Sequence, residues 1–561
     1  MSQEDFAEIK GKRSDSRSRG MNNNDPLWYA KDQQLLIDAA SIPFSWAAGV
    51  PLSIPGSNIK GEDWTMDSST VPTAVPGVCA LHIAPTLGYS NSITSAINVA
   101  ANSIYSYVRH ANSGAKNYDS TNMMMYLYCM ANVYSAINWC TRIYSEAVTF
   151  SQRNRYYPGA LLRAEGFAPE GVTSVMNNLA NYRMRLNVAI NKAASFAVPS
   201  TMPIFQRLAF LFKDIYIEGD SMKEQSYMYV PDGFYYYTYD TAIASKGYGN
   251  AYLKYMKTSE AMSAWNEPLE MLEGMLNQIF DEEDIQIMSG DILKAYGIEN
   301  CLKLQEVSET QSITPIYSVE VLEQMMNADI ISNGSAELQN NIYERIIDNG
   351  DDVSGFLFCE CAIGPFETGV QVAGDTTMQS VIAGSSMSHV LNTYKREPNQ
   401  ADVMVSSRLK SVISEEGMTQ VMGPHASVEG TSTYLSLRTG SDFCTKVELW
   451  IVNYADQGDF EQIVFGSNYM YVDNLIPSSA HGDWNLQKWI SKSAFHYFPI
   501  CYSIYISNSA TAEQDPAFTY RVTGVIGDVD NFAVLSLDNI RNLHDIAMLS
   551  MFNVPVINIV K

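Results

Sequence analysis

Positive charge is scarce in this sequence. Lys and Arg total 36 against 61 Asp and Glu, a formal net charge of −25. That excludes a chain that coats nucleic acid with its whole surface, though not one basic segment on an acidic body. Charged residues of both signs make up only 17% of the 561 residues, against about a quarter in ordinary domains, while hydrophobic residues reach 46%. Extended disorder is therefore not expected, and the surface should be largely neutral and polar. Long apolar runs are also missing. The richest stretch, Ile204 to Ile217, is broken by Gln206, Arg207, Lys213 and Asp214, well short of the roughly 18 residues of a membrane span. Residues 1–25 are polar, without the apolar centre of a secretory signal, so an intracellular protein is expected.

Cysteine and histidine are few, eight and seven, and dispersed. Cys359 and Cys361 form the one close Cys pair, with no second pair or His cluster to complete a zinc site. Buried reduced thiols are the expectation. No HExxH, phosphate-binding loop, G-x-S-x-G or dinucleotide fingerprint is present. No catalytic residue, metal or cofactor is therefore expected.

What is abundant is Tyr, at 34, and Met, at 27. Both residue types are enriched at protein–protein interfaces, and the competing reading is a Tyr-rich core. The length corresponds to three or four domains, or two large ones, at about 150 residues each. Residues 1–23 form a separate zone. Lys10, Lys12, Arg13, Arg17 and Arg19 are opposed there only by Asp15 between positions 10 and 19, with Ser and Gly between them. Such a segment cannot bury apolar surface and should be a mobile arm, either an electrostatic tether for nucleic acid or a solubilising tail.

Periodicity predicts helices over much of residues 90–196. Ile93, Ile97, Ala101, Ile104 and Val108 share one face, ahead of Gly114. Asp119 is a good N-cap for a helix of about 30 residues, with Met123, Leu127, Met130, Tyr134, Ile137, Tyr144 and Val148 on one side of a wall-like element. A third helix is expected over Val175–Phe196. Pro231-Asp232-Gly233 between two aromatic runs, Tyr227 to Tyr239, predicts a hairpin. Residues 259–300 return to helix. From about 355 strand-like runs dominate, including Val447–Tyr454 and Ile500–Ile506, before a last helical stretch and an apolar end at Val554–Val560. No internal repeat of fixed period is apparent.

Carboxylate motifs are weak. Gly350-Asp351-Asp352 matches the metal-binding tripeptide of RNA polymerases, but no upstream Asp-x4-Asp accompanies it. A surface turn after a helix ending at Ile346-Ile347 is the simpler reading. Asp528-Val529-Asp530-Asn531 lacks the Gly and Glu of a calcium loop and reads as a turn between strands. Glu267 and Glu270 read as a solvated helix face. Asn333-Gly334-Ser335 is a lone glycosylation sequon. The residues alone describe a large acidic α+β protein with a short basic arm.

Several blocks carry a resemblance. They begin with Asn24-Asp-Pro-Leu-Trp-Tyr-Ala-Lys-Asp-Gln-Gln-Leu-Leu-Ile-Asp-Ala-Ala-Ser-Ile-Pro-Phe44 and Pro76-Gly-Val-Cys-Ala-Leu-His82. Ile104 to Gly114, Asn117-Tyr-Asp119, Ser151-Gln-Arg-Asn-Arg-Tyr156 and Ser289-Gly-Asp-Ile-Leu-Lys-Ala295 follow. Ala401-Asp-Val-Met-Val405, Gly527-Asp-Val-Asp-Asn-Phe532 and Leu543-His-Asp-Ile-Ala-Met-Leu549 complete the series. In order and spacing these resemble the capsid proteins of picobirnaviruses.

The resemblance implies a coat protein of a small double-stranded RNA virus, without enzymatic activity, resident in the virion and assembled in the host cytoplasm. It implies a largely helical shell domain and a strand-rich projecting domain. Residues 24–300 would form the shell, 301–484 the projection, and 485–561 a return to the shell. Dimers, often with exchanged segments, would build a closed icosahedral shell. Lys10, Lys12, Arg13, Arg17 and Arg19 would lie on an arm that meets the packaged RNA. A helical, Tyr-rich carbohydrate-binding surface lipoprotein of gut bacteria is the alternative. It would need a lipidated cysteine near its start, whereas the first cysteine here is Cys79.

Overall fold

Residues 120–148 form one helix of 29 residues, buried almost all round. Asp119 caps it, its side chain accepting the Asn122 N–H at 2.9 Å, as expected for an Asp N-cap. Met123, Met124 and Met125 are consecutive and all fully buried. The wall-like element with one apolar face is therefore corrected: a helix covered on every side stands at the centre of a core. Its polar side chains turn back on the helix itself. Asn132, Thr141 and Ser145 each donate to the carbonyl four residues earlier. Flexible Met side chains fill the irregular space left around them.

The computed structural model describes residues 32–41, 51–60, 63–72, 77–114, 117–149, 157–219, 224–331, 337–348, 353–359, 361–367, 389–419, 432–453, 459–471, 495–508, 518–527 and 529–553. The chain divides into two units, Met1–Ala47 and Ala48–Lys561. In the first, helix α1 (Gln33–Ala40) is capped by Asp32, which accepts the Gln34 and Leu35 N–H groups at 3.0 and 3.2 Å.

The second unit opens with a hairpin of β1 (Pro51–Lys60) and β2 (Asp63–Pro72), followed by β3 (Val78–Pro85) and α2 (Ala96–Ala111). The 120–148 helix is α3. Next come α4 (Tyr157–Ala164), α5 (Pro169–Asn177), α6 (Leu179–Ala193) and α7 (Pro203–Leu211). Strands β4 (Tyr216–Ile217), β5 (Ser226–Pro231), β6 (Gly233–Tyr239) and β7 (Tyr248–Lys257) lead to α8 (Glu267–Phe280), α9 (Glu283–Tyr296) and α10 (Val319–Met326). Thereafter strands dominate: β8 (Glu337–Gln339), β9 (Ile342–Asp348), β10 (Val353–Cys359), β11 (Cys361–Glu367) and β12 (His389–Thr393). After the short α11 (Gln400–Ser406) come β13 (Val412–Thr419), β14 (Ser432–Arg438), β15 (Asp442–Asn453), β16 (Asp459–Phe465) and β17 (Tyr469–Tyr471). The last elements are β18 (Cys501–Asn508), β19 (Phe518–Ile526), β20 (Asn531–Leu535) and α12 (Leu537–Met551). The mixed α+β class expected from the sequence is what the chain forms.

Helix α2 buries Ile97, Ala101, Ile104 and Val108 as their spacing predicts, but Ile93 precedes the helix and is exposed. The expected third helix is two, broken at Asn178, whose side-chain amide donates to the Ser174 carbonyl at 2.8 Å.

The central sheet has the order β16-β15-β3-β5-β4. Strand β3 is buried at every position, antiparallel to β15 and parallel to β5. Cys79, Leu81 and Ile83 face the core around α3, while Val78 and Ala80 face a second cluster with Tyr157, Leu161, Met228 and Trp450. A strand covered on both faces needs a nearly continuous apolar run, which Val78–Pro85 supplies.

The expected hairpin is also corrected. Strand β5 belongs to the central sheet, whereas β6 pairs with β7 in a second sheet, β10-β9-β7-β6. Asp232 fixes the crossing. Its N–H donates to the Ile83 carbonyl at 2.9 Å, and its carboxylate accepts from the Tyr255 hydroxyl at 2.7 Å and the Thr445 hydroxyl at 2.9 Å. A buried carboxylate needs such donors, and here they come from two different sheets. At Gly233 a Cβ would meet the Met256 carbonyl and the Tyr255 ring, so the close approach requires glycine.

Candidate assembly surface

Buried charge gathers in clusters, of which Arg207–Asp442 and His82–Glu448 join the helix-rich and strand-rich stretches. On α3, Arg142 meets Glu165 at 2.6 Å and Glu146 at 3.5 Å, all fully buried, and Trp139 donates to Glu165 at 2.8 Å. Burial pushes the Glu146 carboxyl well up, with Glu165 adding to it. On α7, Arg207 grips both oxygens of Asp442, the first residue of β15, at 2.6 and 3.0 Å, and also reaches Gln324 of α10 at 2.8 Å. Ser441 donates to Asp442 at 2.6 Å.

A third cluster gathers around Asp329. It meets Lys410 at 3.1 Å and His389 at 3.2 Å and accepts the Ser411 N–H at 3.0 Å. Burial alone would raise this carboxyl, but His389 and Lys410 hold it well below the usual carboxylate range. Glu448 is held down in the same way, against burial, by His82 at 3.2 Å and Lys446 at 2.7 Å. Each of these carboxylates except Glu146 is matched by cations and hydrogen-bond donors, as stable buried charge requires.

The other candidate chemical groups are occupied by local structure. Glu267 accepts the N–H groups of Ser263 and Ala264, both at 2.8 Å, and Glu270 is bonded by the Asn266 amide. Ser289 accepts the Ala197 N–H at 2.8 Å, and Asp291 is bonded by the Tyr118 hydroxyl. Asp530 donates its N–H to Asn392 at 2.9 Å between β19 and β20. Gly350-Asp351-Asp352 and the Asn333 sequon lie outside the described residues. Ile346 and Ile347 lie on β9, paired antiparallel with β10, which corrects the helix expected there. All eight cysteines are buried as thiols. Among the described residues no group of His, Cys, Asp and Glu could hold a metal, and no helix is long and apolar enough to cross a membrane.

Tyrosine goes to the core. Tyr126, Tyr128, Tyr157, Tyr182, Tyr227, Tyr229 and Tyr235 are among the largest fully buried side chains, so the Tyr-rich core is the better of the two sequence readings. The apolar surface is made by other residues. On β20, Phe532 is 59% exposed and Val534 57%. On α12, Ile540, His544, Ala547 and Met548 face inward, while Ile546 and Leu549 are exposed. Helix α6 exposes Met184 and Val188 in the same way. Exposed apolar groups on regular elements are the raw material of protein–protein contacts.

The sequence placed none of these residues at the surface, although Phe532, Ile546 and Leu549 fall in the blocks that carry the resemblance. Their signal is faint: the short run Phe532–Leu535 between Asp530 and Asp538. The five cations that it did single out, Lys10, Lys12, Arg13, Arg17 and Arg19, lie outside the described residues.

Comparison with known proteins gives this arrangement a context. A family model for the picobirnavirus capsid protein matches residues 28–354. The capsid protein precursor of Human picobirnavirus (strain Human/Thailand/Hy005102/-) is 24% identical over 545 residues, 95% of this chain and 91% of that protein. The solved picobirnavirus capsid structure superposes with a TM-score of 0.71 at 20% identity, covering 96% of this chain and all of that one. With more than half of its length matched by the family model, the chain belongs to the picobirnavirus capsid protein family, whose members are structural proteins of the virion.

Proposed function

We propose that this chain self-assembles through dimers into an icosahedral shell around a double-stranded RNA genome, within the host cytoplasm. The observation that carries this reading is the placement of apolar side chains on solvent-facing elements of a family member with net charge −25. Like-charged copies repel, so association has to come from buried apolar area and from salt screening. The chain acts as building material rather than as an enzyme, and it takes no cofactor.

In this reading residues 24–300 and the segment from about 485 build the shell, and strands from the stretch between them project. Strands β15 (Asp442–Asn453) and β16 (Asp459–Phe465) share a sheet with Val78–Pro85, which supports counting these two strands with the shell in this reading. Residues 1–23 form an inward arm on which Lys10, Lys12, Arg13, Arg17 and Arg19 meet RNA. Positions 10–19 carry five positive charges and one negative. A genome of a few thousand base pairs carries on the order of 10⁴ phosphates. About a hundred such arms neutralise only a few per cent of that charge, so the arm tethers RNA rather than condensing it.

Particles from the full chain and from a chain lacking residues 1–20 test the arm through their RNA content. The arm reading predicts a clear loss of co-purifying RNA with particles retained. Equal RNA in both preparations would remove the arm's role.

A further inference from the structure

Strand β20 is an edge. It pairs with β12 alone, Leu391 opposite Ala533, and among the described residues no strand occupies its other side. Strand β12 is buried throughout, whereas Phe532, Ala533 and Val534 are all exposed. Folded proteins usually protect an exposed apolar edge with charge, proline or a bulge. Asn531–Leu535 carries no charged residue and no proline, and its five pairs with β12 run without a register shift. Beside the strand lies a cavity of about 100 Å³ lined mainly by Leu391, Pro398, Val403, Phe532 and Ala533. The one acid on its rim, Asp402, is held by Lys395 at 2.5 Å.

The order of side chains points to the occupant. On Asn531-Phe532-Ala533-Val534-Leu535 the exposed apolar residues Phe532 and Val534 flank Ala533 on either side, with the polar Asn531 and the buried Leu535 outside them. When two copies pair antiparallel about that residue, Phe532 lies opposite the partner's Val534, and the reverse contact repeats it. Aromatic residues opposite β-branched ones make favourable cross-strand pairs. The smallest side chain then sits on the two-fold axis, and Asp530 faces the partner's Ser536 rather than another acid. A contact that uses one patch on both copies closes as a dimer. It also lets two chains of charge −25 meet where neither strand carries charge.

We propose that the outer edge of β20 is a homotypic two-fold contact, in which Asn531–Leu535 of two copies pair antiparallel about Ala533. The inference rests on the capsid reading and gives its dimer a specific surface. Backbone hydrogen bonds across the edge supply affinity, and the Phe532–Val534 contacts set the register.

Cysteine cross-linking tests it on the full chain. In an antiparallel pair, facing Cα atoms lie about 4.5–5.5 Å apart, within the span of a disulfide. The native cysteines are buried, so Ala533→Cys adds an exposed thiol at the axis. Ser550→Cys, exposed on α12, serves as control. Mild oxidation of assembled particles should convert Ala533→Cys, but not the control, to a disulfide-linked dimer on a non-reducing gel. Phe532→Glu, at an exposed site, should abolish particles, and in the Ala533→Cys chain it should also abolish the cross-link, while leaving the circular dichroism of the subunit unchanged. Normal particles with Ala533→Cys still monomeric would overturn the contact and leave the capsid reading standing. A cross-link without particles would uphold the contact and count against the shell. Neither particles nor cross-link would overturn both.

Discussion

The Arg207 guanidinium holds both carboxylate oxygens of Asp442, at 2.6 and 3.0 Å, across a sequence separation of 235 residues. The pair ties helix α7 to the start of β15, the strand that lies against β3. Asp442 is fully buried, and Arg207 is nearly so. Removing Arg207 leaves Asp442 only Ser441 and Arg408, the latter at 3.8 Å, and removing Asp442 leaves Arg207 only the Gln324 hydrogen bond, so Arg207→Met or Asp442→Leu should each cost about 3 kcal/mol. The double replacement should cost less than the two single costs summed. Urea unfolding of the dissociated subunit measures both, and additive losses would show that the pair is not coupled.

His544 gives the subunit a weakness toward acid. It lies buried on α12, its Nε2 2.8 Å from the Lys410 carbonyl. Burial, helped by the nearby Arg408, pushes its imidazole down to about 4. Above pH 6.5 neither folded nor unfolded His544 is charged, and no penalty arises. Between 6.5 and about 4 the unfolded chain takes up the proton first, so stability falls as pH falls. The full effect is about 3 kcal/mol. Thermal unfolding from pH 7 to 4.5 should show a decline that His544→Gln flattens.

Glu344 acts in the opposite direction. It projects from β9 into a slot where a Cβ at Gly249 of β7 or Gly355 of β10 would strike it. Burial, with the adjacent Asp119 carboxyl, raises it to about 7. The folded state therefore keeps this proton more readily than the unfolded one. The advantage is complete below pH 4.5 and is lost as pH rises through 7. Glu344→Gln should be nearly neutral at pH 5 and stabilising at pH 8. Equal effects at the two pH values would contradict the carboxyl pairing.

Gly233 opens β6 just after the chain leaves the central sheet, where a Cβ would meet its neighbours. Gly233→Ala should cost about 1–3 kcal/mol, because the Met256 carbonyl and the Tyr255 ring must shift. Denaturant unfolding reads the loss directly. No loss would mean that the crossing at Asp232 is looser than its hydrogen bonds imply.

Local signals in the sequence located elements well where a cap or a single buried face marked them. Asp119 starts α3, and Ile97 to Val108 bury along α2. The signals failed where the decisive partner is distant. The cap and the apolar face found α3 and its length, but periodicity could not show that the helix is covered from every side. A Pro-Asp-Gly turn looks the same whether the chain doubles back or passes into another sheet, and here the donors on Tyr255 and Thr445 decide. The surface of β20 was illegible for a related reason, since four apolar residues ahead of a helix read equally well as core. Its exposure follows from the fold that leaves its outer edge open.

Sedimentation velocity of the full chain expressed alone, followed across salt concentration and paired with negative-stain microscopy, tests the central claim most directly. Copies of net charge −25 that assemble through apolar contacts should form uniform hollow particles, increasingly so from low to moderate salt. A chain that stays monomeric at every salt and protein concentration, or particles that dissolve as salt rises, would contradict the account.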